Sequence, residues 1–529
     1  MPDRWEYKWP VYHRYDQNGE YPYTVGHWYD PFNRNRLKGD YPIFGNQTFL
    51  DITGVSDTFL DGRRLPTPSG VPSKLPNSEQ FFGKFGQFFT EENLALSFQL
   101  FHGDTSFRPI DWQVKVTPVF NLNYLHTQEL GIVNANPLAG TNRLDGHVGL
   151  QEAFVEAKLR DLSPDFDFVS VRAGIQGFNS DFRGFIFNDQ EPGIRIFGNL
   201  QSNRYEYNLA YFSMLEKDTN SGLNTLTNRH QQVYIANLYR QDFLTKGYTA
   251  QLSFLCNNDN GTLRFDTNNF LVRPSPVGLV VQQGQTPFIK QHSVRAYYLG
   301  LTGNGHVGRW NVSNAFYQAL GYDTFNPIAR KRVSIDAQMA ALELSRDRDW
   351  LRFKASFFWS SGSSNPQSSV ARGFDAIFDN PNFAGGFFSF WNREGIRLTG
   401  SGVGLVGSDS LIPSLRSSKI QGQANFVNPG LFLWNLGVDM DVTPKLKSFV
   451  NVNLIRFQHT APVELVLFQQ PIHAGVGADS SIGFSYRPPL SDNIILTGGV
   501  SMFNPWQGFK DIYTGETLFS LFANIRFRF

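Results

Sequence analysis

The chain has 529 residues with 47 basic and 46 acidic side chains, a balance that gives no electrostatic case for a nucleic-acid partner. Aromatic residues make up 15% of it, yet mean hydropathy is −0.30 and no run of roughly 18 apolar residues occurs, which excludes a helical membrane span. The single cysteine, Cys256, excludes an internal disulfide framework, CxxC metal sites and CxxCH haem attachment. A chain that is polar on average but rich in Phe and Tyr fits a transmembrane barrel, whose lipid-facing residues alternate with lumen-facing ones.

Residues 1–46 do not alternate; Trp5, Trp9, Tyr12, Tyr15, Tyr21, Tyr23, Trp28 and Tyr29 are scattered among prolines and charges. The segment is too short for a globular plug domain. It reads as an aromatic strap against the periplasmic rim or the lumen wall, because disordered tails are aromatic-poor. The opening MPDRWEYKW is not a signal peptide, so an exported chain is expected to be a mature form or to have a displaced start.

From residue 47 to 529 the chain alternates strand and connection. Strands are expected near 48–60, 91–103, 110–125, 147–160, 166–177, 190–199, 203–215, 229–240 and 246–257. Nine more follow near 290–301, 307–320, 332–345, 349–360, 430–442, 446–458, 476–487, 491–503 and 515–529. In one of them Trp112, Val114, Val116, Pro118, Phe120, Leu122 and Tyr124 share a parity, opposite Asp111, Gln113, Lys115, Thr117, Asn121 and Asn123. Only Val119 breaks the pattern. A tilted strand of about ten residues already crosses a bilayer. Short connections near 199–203, 345–350, 441–445 and 487–493 alternate with long ones at 126–146, 258–290, 361–429 and 460–473. The fold class is therefore all-β, a transmembrane antiparallel barrel of about 18 strands (16 as the alternative), with both chain ends on the short-turn side. Cys256 lies at a strand end, where a small buried residue is expected.

The last stretch, TLFSLFANIRFRF, puts Phe519, Leu521, Ala523, Ile525, Phe527 and Phe529 on one parity and Ser520, Asn524, Arg526 and Arg528 on the other. Leu518 and Phe522 are the exceptions. An amphipathic last strand ending in Phe resembles the closing strand of Gram-negative outer-membrane β-barrels of the porin-like family. The resemblance implies an outer-membrane location and lipid contact, with Phe527 and Phe529 as the signal read by the barrel assembly machinery. It also allows a homotrimer. The closure partner is expected near 48–60.

No GxSxG, HExxH or Walker motif is present and the ten histidines are scattered, so neither catalysis nor a cofactor or metal is expected. Asn257–Asn258–Asp259–Asn260–Gly261 resembles a calcium loop but lacks the later bidentate Glu, and reads as an ordinary external loop. Charges expected to line the pore are Asp111, Lys115, Glu152, Glu156, Lys158, Arg172, Arg204, Glu206, Arg295, Asp336, Arg352, Lys354, Arg526 and Arg528. They either set solute preference or pair across strands and only solvate the wall.

The 361–429 connection concentrates Phe374, Phe378, Phe383, Phe387, Phe388, Phe390 and Trp391 beside Asp375, Asp379 and Arg393. So many aromatics must be covered, so the loop either folds inward as a constriction or packs on itself as an extracellular lid. Constriction candidates are Asp375, Asp379, Phe387, Phe388, Trp391 and Arg393. The expected function is passive diffusion of small hydrophilic solutes or ions through a porin-like channel. The alternative is a structural barrel that sheaths or anchors a periplasmic or surface partner such as a multihaem cytochrome.

Overall fold

Period-two patterning becomes a wall with two faces. In the computed structural model, which describes residues 35–45, 47–66, 83–103, 108–280, 288–398, 403–469 and 471–529, eighteen antiparallel strands close into one barrel. The first six are β1 Thr48–Arg64, β2 Gly83–His102, β3 Trp112–Glu129, β4 Asn142–Asp161, β5 Phe168–Asn179 and β6 Asn188–Leu200. Next come β7 Tyr205–Lys217, β8 Asn224–Arg240, β9 Tyr248–Asp259, β10 Val294–Val307, β11 Trp310–Asn326 and β12 Lys331–Arg348. The last six are β13 Leu351–Ser360, β14 Leu431–Thr443, β15 Leu446–Phe457, β16 Gly475–Tyr486, β17 Ile494–Pro505 and β18 Leu518–Arg528. Each expected strand overlaps one of these. No described helix is long and apolar enough to cross a membrane.

The seam lies where the sequence placed it. β1 and β18 pair antiparallel from Val55 opposite Arg528 to Arg63 opposite Ser520. Gly54 and Phe529 exchange backbone hydrogen bonds at 2.9 and 3.1 Å. Short turns at 201–204, 308–309, 349–350 and 444–445 share the end that holds the C-terminus, periplasmic in such barrels. Residues 1–34 of the expected strap lie outside the described residues. Beyond them, Lys38–Phe44 pairs antiparallel with the start of β1, and Lys38 Nζ donates to Ile52 O at 2.6 Å.

The outer face is apolar as expected: Trp112, Val114, Val116, Phe120 and Leu122 on β3 are exposed, as are Phe519, Leu521 and Phe527 on β18. The inner face differs around the barrel. On β1–β6 it is mostly polar, with Asp57, Glu91, Asn93, Gln113, Thr117, Asn121 and Glu156. On β7–β18 it carries Phe212, Val233, Leu255, Tyr298, Tyr317, Ile335, Met339, Phe358, Leu433, Ile455 and Phe503, all buried. Covering one such large side chain contributes about 1.5–3 kcal/mol. An apolar inner wall is stable only when something covers it.

That asymmetry corrects two expected pore residues. Arg295 alternates with buried Val294, Ala296 and Tyr298, and Asp336 with buried Val333, Ile335, Ala337 and Met339. Both fall on the outward parity at the long-loop ends of β10 and β12. Here the apolar set points inward and the polar set outward, where Asp336 pairs with Arg372 at 3.4 Å and Arg295 donates to Asn258 at 3.4 Å. Cys256 is half-buried inside β9, three residues from its end, on the same outward parity.

Candidate functional site

Two connections turn into the lumen. The first, 180–187, is bent by Asp181, whose carboxylate accepts the N–H groups of Arg183, Gly184 and Phe185 at 2.9, 2.7 and 3.2 Å. Tyr317 Oη on β11 donates to Asp181 at 3.1 Å. Arg183 reaches the far wall, donating to Ser313 Oγ at 2.9 Å and pairing with Glu343 at 2.7 Å. The sequence reading missed this segment, although Phe182, Phe185 and Phe187 in a non-strand stretch were a signal of the same kind as the longer loop.

The second, 361–430, leaves and returns at one point. A Cβ on Gly362 would stand 2.0 Å from Pro429 O, and Gly430 has φ +66°. The chain then runs beside the first segment, with Phe378 N donating to Ile186 O at 3.0 Å, Asn380 N to Gly184 O at 2.9 Å and Asn382 N to Arg183 O at 3.0 Å. It crosses to β15–β18. Ala384 O accepts from Asn453 Nδ2 at 2.9 Å, and Asp479 accepts the N–H of Phe390 at 3.1 Å. Trp391 Nε1 donates to Leu411 O at 3.0 Å. Arg393 donates to Ser501 Oγ at 3.0 Å and Ser520 Oγ at 2.6 Å and lies 3.7 Å above the Phe522 ring. Phe387 stacks edge-on against Phe59 and Phe522 at 5.8 and 5.2 Å, and Phe388 lies on Phe449 at 4.7 Å. The two exceptions on β18 are thereby explained: Leu518 is fully buried, and Phe522 is 2% exposed beneath this segment.

Buried charges fix the crossing. Arg63 Nη1 donates to Glu394 Oε2 at 2.9 Å, and Arg393 pairs with the same carboxylate at 3.1 Å. Burial alone would raise the Glu394 carboxyl, but Arg63 and Arg393 outweigh it and hold it below the usual carboxylate range. Asp375 pairs with Arg416 at 2.6 Å; there burial wins and pushes the carboxyl up to about 6.

Water-accessible space remains mainly beside the polar wall. An upper cavity of about 540 Å³ is lined by Arg143, Asp189, Lys217, Asp266, Asp379, Arg397 and Lys419. A lower one of about 510 Å³ is lined by Asp57, Asp61, Arg63, Glu91, Asn93, Phe387, Arg393 and Arg526. Both contain Ser408 and Asp409, the exposed tip of the inward segment. The wall opposite carries a string of side chains: Arg143 donates to Asn123 at 3.3 Å, Asn123 to Asn121 at 2.8 Å and Asn121 to Glu91 at 2.6 Å. A third cavity of about 470 Å³, under Phe383, Ala384 and Phe388, opens between β10 and β15 and is capped by the segment above it.

Most expected wall charges pair across strands. Lys115 meets Glu152 at 2.7 Å, Lys158 meets Asp111 at 3.0 Å and Lys354 meets Asp439 at 2.6 Å. Arg172 Nε donates to Glu156 at 2.8 Å, Gln241 donates to Glu206 at 2.7 Å, and Arg526 pairs with Asp57. Arg352 pairs with Asp347 at the rim, Arg204 is exposed in the 201–204 turn, and Arg528 ends β18. Of the six loop residues, Asp379 lines the upper cavity, Phe387 and Arg393 the lower and Phe388 the third; Asp375 and Trp391 are internal. Asp57, Arg63, Glu91 and Arg143 were overlooked although they fall on inward parity; Ser408 and Asp409 carried no signal beyond a polar GSDS in an apolar stretch. Asn257–Asp259 closes β9, and among the described residues no group of three or more His, Cys, Asp or Glu is placed to hold a metal ion.

The barrel superposes on OccK7 (OpdD) of Pseudomonas aeruginosa with a TM-score of 0.50 at 9% identity, covering 91% of this chain and 98% of that one. This is the fold of Gram-negative outer-membrane channels. P. aeruginosa OccK9 (OpdG) matches at TM-score 0.48 and 8% identity, covering 90% of this chain and 98% of the other. P. aeruginosa OpdK with vanillate matches at 0.47 and 10%, covering 91% and 98%. At such identities the likeness is one of fold alone. No family model and no curated protein sequence matches the chain.

Proposed function

We propose that this protein is an outer-membrane channel for passive diffusion of small hydrophilic solutes or ions, with its passage confined to one side of the lumen. The observation that carries this reading is that the upper and lower cavities share Ser408 and Asp409. The lower lies between the docked segment and the inner faces of β1, β2, β17 and β18, and the upper between that segment and Arg143 on β4, Asp189 on β6 and Lys217 on β7. A barrel of this size encloses water unless something fills it. Here the apolar half is filled by 180–187, 361–398 and 403–430, and the polar half keeps its charges at a water-filled edge where they act on a solute through local field and hydrogen bonding.

A sheath around a partner inside the barrel fits less well, because the partner would have to displace a segment held by buried aromatic and ionic contacts. Purified protein in a planar bilayer is expected to give steady open-channel current without any added partner. A barrel that inserts and stays silent contradicts the reading.

A further inference from the structure

We infer that Glu91 and Asp409 set the charge preference of the passage and make it favour cationic and ammonium-bearing solutes over anions. This rests on the channel reading above and names the residues that decide what passes.

The lower cavity holds three basic side chains, and each is already engaged. Arg526 pairs with Asp57. Arg63 pairs with Glu394 at 2.9 Å and with Asp61 at 3.4 Å. Arg393 is held by Glu394 and by the hydroxyls of Ser501 and Ser520. Two carboxylates of the same cavity have no basic partner within 4.0 Å among the described residues. Glu91 accepts from Asn121 Nδ2 at 2.6 Å, an amide that carries no net charge. Asp409 stands at the exposed tip with φ +57°, and Lys419 behind it donates to the backbone oxygens of Ser408 and Asp409, not to the carboxylate.

Position gives the pair its weight. Asp409 borders both cavities, so a solute moving between them passes this carboxylate. In the upper cavity Lys217 pairs with Asp189 at 2.8 Å and Arg416 with Asp375, Arg397 stacks on Phe270 at 5.0 Å near Asp266, Arg143 stands near Asp145 and Asp266, and Lys419 lies behind Asp409. Lys419 offsets Asp409 in part from behind and Glu91 has no basic neighbour among the described residues, so the net charge at the junction is negative, where a wall of low dielectric strengthens its field on an ion.

The test is the reversal potential of the channel in a planar bilayer under a KCl gradient, for the native protein, E91Q, D409N and the double variant. Both substitutions keep size and hydrogen-bonding capacity. The native channel is expected to prefer K⁺, with the permeability ratio falling severalfold in the double variant and by part of that in each single one. D492N, at an exposed periplasmic turn, should leave the ratio unchanged. A native channel that prefers Cl⁻, or a ratio unmoved in the conducting double variant, overturns this inference and leaves the channel reading standing. Absence of any current overturns both.

Discussion

Arg63 on the first strand and Glu394 in the longest connection share a hydrogen-bonded ion pair of 2.9 Å, 331 residues apart in sequence, at the seam where β1 meets β18. The Glu394 side chain is fully buried, so the pair ties the crossing segment to the seam where the first and last strands join.

Replacing Glu394 with Gln takes the paired anion from buried Arg393 and leaves Arg63 only its 3.4 Å contact with Asp61. Breaking a buried pair from one side costs about 3–5 kcal/mol. The E394Q barrel should unfold at lower denaturant in detergent, by that amount. The pH dependence has a definite sign. The folded carboxyl lies below its ordinary value, so its contribution is present above the ordinary carboxylate range and is lost as pH falls through the lowered one. Native protein should lose stability on acidification, and E394Q should lose less over the same range.

Phe522 supports Phe387, Phe388 and Arg393 from below. Truncation in F522A removes ring contacts and leaves a cavity, at a cost of about 3–5 kcal/mol. Conductance should rise, because Phe387 and Arg393 line the lower cavity and lose their floor. F522L should show a smaller change in both measurements.

Two glycines separate the lumen from the lipid side. A Cβ at Gly483 would stand 2.2 Å from the Phe388 ring, whereas a Cβ at Gly62 meets nothing within 4 Å. G483A should displace Phe388 and alter single-channel conductance while the barrel still forms. G62A, on the outward face, should leave conductance unchanged and alter stability by no more than about 0.5–1 kcal/mol. Equal effects from both would contradict the placement of Phe388 against the wall.

Asp479 holds the short helix Phe390–Arg393 by accepting the N–H groups of Phe390 and Trp391 at 3.1 and 3.4 Å and Asn453 Nδ2 at 3.0 Å. D479A leaves the N–H groups of Phe390 and Trp391 buried and unmet, at about 1–3 kcal/mol. The expected readout is flickering current from a loosened segment, with the barrel's heat-modifiable mobility on gels retained. A quiet trace identical to native would contradict the anchoring role.

The wall was legible in the sequence because a strand has only two faces, and lipid demands that one be apolar along its whole length. Strand count, seam and the outward set from Phe519 to Phe529 followed from that constraint. The lumen was not legible in the same way. Arg295 and Asp336 were assigned inward on the rule that polar means lumen, which fails where an inner wall is itself covered. Val333, Ile335, Ala337 and Met339 are apolar for the same reason as Phe522: protein covers them, not water. Apolar residues on both parities of one strand, as in β10 and β12, were the available sign of an occupied half-lumen. Nothing local in the sequence pairs Arg63 with Glu394 or brings Asp409 to the junction, since both depend on where a long connection turns back.

The central claim is that solutes pass on the polar, β1–β6 side of the docked segment, and cysteine accessibility in a C256S background tests it most directly. Asn93 lines the lower cavity, and Ala337, 1% exposed, lies under the segment on the opposite wall. A small charged thiol reagent added to the conducting protein should modify N93C and reduce its current, while A337C should neither react nor change conductance. Block at A337C with N93C unaffected would place the passage on the other side and contradict the account.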